Sequence, residues 1–401
     1  MAPPERTARL VLVTPDGAVV GALPAIAVST PWWQDIGPVV EAARTHYGIA
    51  VTILRLLEAE HEQPPGGEVT YLAQVEAPVA AEPWTGTLDD QPLRLPYAEP
   101  GGPAADLAWA KGILAERGIG LSGPPTQVRT WNLSSLWRLP VEDGAVWLKV
   151  VPPFFAHEGD LLARLAGERV PRVLGHGGGR MLMADIPGED LYEATPEQWR
   201  AMVSLLIDLQ SRWIGGAAEL IALGLPDWRA APSSGAIGAL VARIGDGMEP
   251  RARGALDAFV ADLPARWAKI AACGLPDTLV HSDFAPGNFR GEGLTLTLID
   301  WGDSGVGHPL FDQIAFFDRI PNAAMAALRD HWLLLWRGAI PGCDPARAAA
   351  LISPIGAARK AVIYQGFLDH IEPAEHPYHR ADPMDFLGRA AALLEAERAA
   401  D

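Results

Sequence analysis

Residues 279–312 constrain the fold of this chain more than any other stretch. They read Leu279-Val280-His281-Ser282-Asp283-Phe284-Ala285-Pro286-Gly287-Asn288-Phe289, then Leu294-Thr295-Leu296-Thr297-Leu298-Ile299-Asp300-Trp301, and close on Gly307-His308-Pro309-Leu310-Phe311-Asp312. A short apolar strand delivers His281 and Asp283 to a loop, Asn288 follows five residues after Asp283, and a second strand ends in Asp300. Carboxylate and amide oxygens are hard ligands that suit Mg²⁺, which keeps waters and bridges substrate phosphates. A further carboxylate that binds no metal can orient a hydroxyl and take its proton. One base, one metal-binding amide and one metal-binding carboxylate are what phosphoryl transfer needs. Each residue alone is common in turns and at strand ends; the joint pattern His-x-Asp-x4-Asn, strand-Asp, Gly-x-Pro-x-x-Asp is not.

The chain has 401 residues, enough for two or three compact units, with 49% hydrophobic and 20% charged residues, an ordinary globular balance. Lys plus Arg is 32 and Asp plus Glu 49, a net charge of −17, which gives no general attraction for nucleic acid or anionic membranes and suits a cationic substrate better. The two cysteines, Cys273 and Cys343, cannot build a disulfide framework or a cysteine-based zinc site by themselves. The start, Met1-Ala2-Pro3-Pro4-Glu5-Arg6, lacks the pattern of a signal peptide, and no apolar run reaches about 18 residues, so a cytoplasmic location without membrane spans is expected. Oligomeric state is left open.

Along the chain, residues 8–13 and 18–21 read as strands around Pro15-Asp16-Gly17, 34–47 as a helix with Gly48 at its C-cap, and 49–58 and 68–76 as further strands. This makes residues 1–84 a small α/β domain. Its order resembles a Nudix domain, but with Gly48-Ile49 set at the end of the Nudix box the metal-binding glutamate pair falls on Thr45 and His46, so a non-catalytic domain is expected. Residues 85–125 read as a connector with a short helix at about 105–117. Residues 126–138 and 145–151 read as strands around Glu142-Asp143-Gly144, and from Thr195 the pattern is mostly helical, with Thr195-Pro196-Glu197-Gln198 offering a capping box.

The 279–312 motifs resemble the aminoglycoside phosphotransferase and choline kinase-like family of small-molecule kinases, which typically shows His-Gly-Asp-x4-Asn, Ile-Asp-Trp/Phe/Tyr and Gly-x-Pro-x-x-Asp. The resemblance covers roughly residues 126–395. It implies an α+β, bilobal protein-kinase-like fold, with a β-rich N-lobe and hinge at 126–188 and a helical C-lobe carrying the catalytic loop and acceptor site at 189–401. It implies ATP and Mg²⁺ as cofactors, Asp283 as catalytic base, Asn288 and Asp300 as metal ligands, and His281 and Asp312 as supports of the loop. Ser282 stands where the family usually has Gly.

Lysine is scarce, with Lys111, Lys149, Lys269 and Lys360 the four present. Lys149 lies in the apolar strand Val146-Trp147-Leu148-Lys149-Val150-Val151, where a buried ammonium needs a partner, and Glu158 follows nine residues on. In kinase-like folds this strand lysine grips the nucleotide phosphates and pairs with a helix glutamate. By the same resemblance Met183, Ala184 and Ile186 mark the hinge that meets the adenine. The loop Trp131-Asn132-Leu133-Ser134-Ser135-Leu136-Trp137 has no glycine, and Ser134 and Ser135 are its candidate phosphate donors. The acceptor pocket is expected around Asp303, Tyr364, Gln365 and Glu372, in an acidic rim that favours an amine-bearing small molecule such as an amino sugar or aminoglycoside. A neutral sugar, an amino alcohol, or a catalytically silent nucleotide-binding protein are the alternatives.

Overall fold

In β1 (Arg6–Val13) Leu10, Val11, Leu12 and Val13 are all fully buried, so the strand is covered on both faces and sits inside a sheet. The computed structural model, which describes residues 4–77 and 79–400, shows this. β1 lies between β2 (Val19–Val28) and β4 (Gly67–Gln74), with β3 (Thr52–Ala59) beyond, in the order β2-β1-β4-β3. β1 runs antiparallel to β2 and parallel to β4. The helix between β2 and β3, α1 (Gly37–Tyr47), ends at Gly48 with φ +69, the left-handed C-cap expected from the sequence. β2 runs well past the Gly21 at which the sequence reading stopped. Pro24 lies within it and is tolerated because β2 is an edge strand.

A second sheet follows, in the order β5-β6-β7-β9-β8. Its strands are β5 (Thr126–Trp131), β6 (Ser134–Val141), β7 (Gly144–Val150), β8 (Val173–Gly177) and β9 (Arg180–Ala184). Helix α2 (Gly102–Glu116) precedes it, and α3 (His157–Arg164) lies between β7 and β8. Leu95 and Tyr97 of the connector join Ala110 and Leu114 of α2 in one buried cluster with Leu139, Leu148 and Leu182. The 85–125 stretch therefore contributes core to the second sheet.

Contacts divide the chain into two units. The first takes in Met1–Gly159, Val173–Asp185 and Phe367–Arg380, and the second Asp160–Arg172, Ile186–Gly366 and Ala381–Asp401. The first unit is sheet-rich. The second is mainly helical: α4 (Pro196–Arg212), α5 (Ala217–Ala222), α6 (Ala230–Ile244), α7 (Pro250–Ala271), α8 (Leu310–Phe317), α9 (Asn322–Ala339), α10 (Pro345–His370, whose last turn counts with the first unit) and α11 (Asp382–Ala400). Its short strands are β10 (Glu189–Asp190), β11 (Asp227–Trp228), β12 (Thr278–Val280), β13 (Phe289–Glu292), β14 (Thr295–Leu298) and β15 (Gly305–Gly307). The capping box at Thr195 and Gln198 forms, and Met202, Leu206 and Leu209 of α4 are buried as their spacing predicts. Among the described residues no helix is long and apolar enough to cross a membrane.

Residues 367–380 close the first unit through a buried polar network. Arg94 donates to Glu372, with Nη2 to Oε2 at 2.9 Å, and Arg55 lies 4.0 Å from the same carboxylate. Glu375 accepts from the backbone N–H of Leu56 at 3.0 Å and of Asn132 at 3.2 Å. His379 Nε2 donates to Asn132 Oδ1 at 3.1 Å, which fixes its tautomer. Burial drives the Glu375 carboxyl up to about 7, against the pull of the Leu56 N–H. A carboxyl that holds its proton longer when folded loses stabilising effect as pH rises, here from about 4.5 to about 7. Glu375→Gln should therefore gain stability relative to wild type between pH 5 and pH 8, by on the order of 2 kcal/mol, in urea unfolding at the two pH values. A difference that does not change with pH would mean that Glu375 is ionised throughout.

Candidate active site

The catalytic loop is built from the end of β12. This strand is wholly buried, pairs antiparallel with β15, and is tied to α4 by Thr278 Oγ1 donating to Gln210 O at 2.6 Å. The chain leaves it through His281, fully buried, whose Nε2 donates to Ile299 O at 3.0 Å and so carries the proton. Asp312, in the first turn of α8, is also fully buried. Its Oδ2 accepts from the His281 N–H at 2.9 Å and from Gln210 Nε2 at 2.8 Å, and its Oδ1 from the Ser282 N–H at 2.6 Å. Burial raises the Asp312 carboxyl above its ordinary value, while His281 and the two N–H groups oppose the rise.

Asp283 follows, half-buried, and is met by Asn288, whose Nδ2 donates to Asp283 Oδ2 at 2.8 Å and to Asp283 O at 2.7 Å. With its NH₂ committed in this way, Asn288 has its carbonyl oxygen as the end that can meet a cation. The Ile299 N–H donates to Asn288 O at 2.8 Å, which draws the end of the β13–β14 hairpin to the loop, with Asp300 the next residue in the chain. Ser282 (φ +71) and Asp300 (φ +64) are the non-glycine residues with left-handed backbone among the described residues, and both belong to this site. Local strain concentrated at a set of polar groups is a mark of function.

Around the loop stand residues of α10. Tyr364 stacks on Phe386 with ring centroids 5.4 Å apart, and its phenol is raised by burial and then by the charges of Asp283, Asp382 and Asp303. Tyr364 is thus close enough to Asp283, Asp382 and Asp303 to feel their charges. Gln365 is half-buried on the next step of the helix. Lys360, absent from the sequence-based site, has its Nζ 3.7 Å from Asp318 Oδ2; burial lowers its ammonium, and the charges of Asp283 and Asp318 oppose this. Its position four residues before Tyr364 put it on the same helical face, a signal present in the sequence.

The first unit carries the other candidates. Lys149 Nζ lies 2.8 Å from both carboxylate oxygens of Glu158, whose side chain is 2% exposed. Met183 and Ala184, half-buried, end β9 opposite Trp147 and Val146 of β7. Ile186 opens the 186–366 stretch of the second unit, and its carbonyl accepts from Arg290 Nε at 2.8 Å.

Two expectations change. Ser134 and Ser135 are not in a loop: the β5–β6 turn is only Asn132-Leu133, because Trp131 already pairs with Ser134. Ser135 is fully buried and accepts from Trp137 Nε1, and Ser134 accepts from Trp131 Nε1. Glu372 is not an exposed rim carboxylate: it is 4% exposed and committed to Arg94 at 2.9 Å.

A five-stranded antiparallel sheet with a lysine–glutamate pair, followed by a helical part with an Asp/Asn/Asp loop, defines a phosphotransferase of the protein-kinase-like class. The family model described as the phosphotransferase enzyme family matches residues 135–350, more than half of the chain, and the chain belongs to that family. It is a small-molecule kinase. Its fold is similar to that of a choline/ethanolamine kinase family protein from Mesorhizobium loti, at 19% identity over 72% of this chain and 95% of the other, with TM-score 0.52. A macrolide 2'-phosphotransferase from Brachybacterium faecium matches at 21% identity over 68% of this chain and 97% of the other, with TM-score 0.49. No curated protein sequence matches the chain.

Replacing Asp312 by Ala would strand two buried backbone N–H groups and the Gln210 amide. Asp312→Ala should cost roughly 2–4 kcal/mol in urea unfolding. A loss below about 0.5 kcal/mol would remove Asp312 as the organiser of the loop.

Proposed function

We propose that the chain moves the γ-phosphoryl group of ATP to a hydroxyl of a small, amine-bearing acceptor such as an amino sugar or aminoglycoside-like compound. The observation that carries this reading is the Asp283–Asn288 pair, held on a buried carboxylate and joined to Asp300 by the Ile299–Asn288 hydrogen bond. Asp283 orients the acceptor hydroxyl and takes its proton as the oxygen bonds to the γ-phosphorus and the bond to the β–γ bridging oxygen breaks, releasing ADP. Asn288 and Asp300 supply an amide oxygen and an exposed carboxylate, a hard-oxygen donor set that fits Mg²⁺. A metal held there would supply charge neutralisation to the phosphates. Lys149, held by Glu158, presents an ammonium to the nucleotide phosphates, and Met183, Ala184 and Ile186 border the adenine. With Ser134 and Ser135 inside β6, Lys149 is the phosphate contact in this proposal.

Asp303 and Asp382 near Tyr364 support an amine on the acceptor, through Coulomb attraction in a half-buried setting. A neutral sugar is the second reading, favoured by Lys360, a cation that already feels Asp283 and Asp318. The N-terminal sheet is assigned a non-catalytic role, because Thr45 and His46, at the end of α1, stand where a Nudix hydrolase needs glutamates.

Asp283→Asn should keep Mg-ATP binding and lower turnover about 10²–10⁴-fold in an ADP-release assay with a panel of hydroxyl acceptors. Full activity in that variant would take the base away from Asp283. Asp300→Ala should abolish Mg²⁺-dependent ATP binding in calorimetry, and wild-type affinity there would exclude Asp300 as a ligand. A sugar compared with its amino analogue should show an advantage for the amine that shrinks with salt and with Asp303→Asn. Equal efficiency under all conditions would favour the neutral acceptor.

A further inference from the structure

Ser282 holds a backbone conformation that glycine adopts freely and serine does not, at φ +71, immediately before Asp283. Its N–H is fixed by Asp312, but the direction in which Asp283 leaves depends on the whole strained peptide. A second group grips the same residue. Arg359, on α10, is 1% exposed and donates from Nη1 to Ser282 Oγ at 3.1 Å. Its guanidinium lies over the Phe311 ring at 4.3 Å and the Trp228 ring at 5.4 Å, which leaves it little freedom to swing away. Its Nε is buried with no hydrogen-bond partner among the described residues. Burial of this cation with an unsatisfied N–H is costly, and the charges of Asp312 and Asp303 offset part of that cost.

We propose that Arg359 is a positioning residue for Asp283, holding the Ser282 hydroxyl so that a non-glycine residue keeps the left-handed peptide that aims the base. The requirement for the arginine is created by the serine: a glycine in its place would take the same φ with no side chain to steady. Arg359 and Ser282 then form a coupled pair, and removing one changes what the other is worth. The proposal rests on Asp283 acting as the base.

The test is a double-mutant cycle of Arg359→Met and Ser282→Gly. Mg-ATP turnover to ADP is measured with the best hydroxyl acceptor from a panel, and hydrogen exchange of the 279–289 segment is followed in parallel. In the otherwise wild-type chain Arg359→Met should lower kcat about 10–100-fold, the scale of a misaimed catalytic group, with KM for Mg-ATP changed less than about threefold. In the Ser282→Gly background the same substitution should change kcat less than about threefold, and it should no longer speed exchange at residues 281–283. An equal loss in both backgrounds overturns the proposal and makes Arg359 a packing or charge-balancing residue. If Arg359→Met does not fold, Ser282→Ala keeps the Cβ and removes only the hydroxyl. It should lower kcat and loosen the segment, and wild-type kcat and exchange in it would overturn the proposal. Should the wild-type chain release no ADP with any acceptor, the phosphotransfer reading fails, while the exchange cycle still decides whether Arg359 steadies the loop.

Discussion

The second unit depends on one carboxylate. Asp312 is fully buried, and its two oxygens take two consecutive backbone N–H groups and the side-chain amide of Gln210. A buried carboxylate is tolerated only when its lone pairs are used, and here all three of these donors come from parts of the chain other than the helix that carries it. The end of β12, the catalytic loop, α4 and α8 are thereby fixed to one point. His281 extends the arrangement to Ile299, and the Ile299 N–H carries it on to Asn288. The loop that carries Asp283 and Asn288 is positioned by backbone hydrogen bonds, which resist displacement better than contacts between long side chains.

The site residues most legible in the sequence were those whose chemistry dictates their type. Asp283, Asn288 and Asp300 could be proposed from the residue kinds and spacings a hard-oxygen donor set needs, and His281 and Asp312 from the family resemblance; the structure joins Asp283 to Asn288 and ties His281 and Asp312 to one loop. Lys149 could be read because an ammonium in an apolar strand needs an anion, and Glu158 supplies it at 2.8 Å. Residues whose role depends on chain segments far apart were not legible. Glu372 looks like a surface acid until Arg94 is seen to reach it from 278 residues away. Arg359 sits in an apolar helix with nothing nearby in sequence to explain it. Ser134 and Ser135 were misplaced because composition does not fix the length of a hairpin turn. The run of β2 past Pro24 was hidden because only the sheet order shows that strand to be an edge.

Buried charge in the first unit is handled by pairing. Lys149 with Glu158, and Arg94 with Glu372, are ion pairs taken largely out of water, where loss of one member leaves the other uncompensated. Such pairs add little net stability, yet they reject alternative packings, because any misalignment exposes the cost of an unpaired charge. Arg359, in the second unit, hydrogen-bonds a hydroxyl and faces aromatic rings, with the charges of Asp312 and Asp303 opposing the cost of its burial.

The return of residues 367–380 to the first unit sets an order of events during synthesis. The N-terminal sheet and the five-stranded sheet emerge early, but the anions that answer Arg55 and Arg94, and the carboxylate that accepts from Leu56 and Asn132, are encoded more than two hundred residues later. Until that segment has left the ribosome Arg55 and Arg94 lack Glu372, and Glu99, 3.4 Å from Arg94, is the acid already made beside them. A nascent chain of this protein is thus held in an unfinished state through most of its translation, with its last hundred residues acting as the closure of its first.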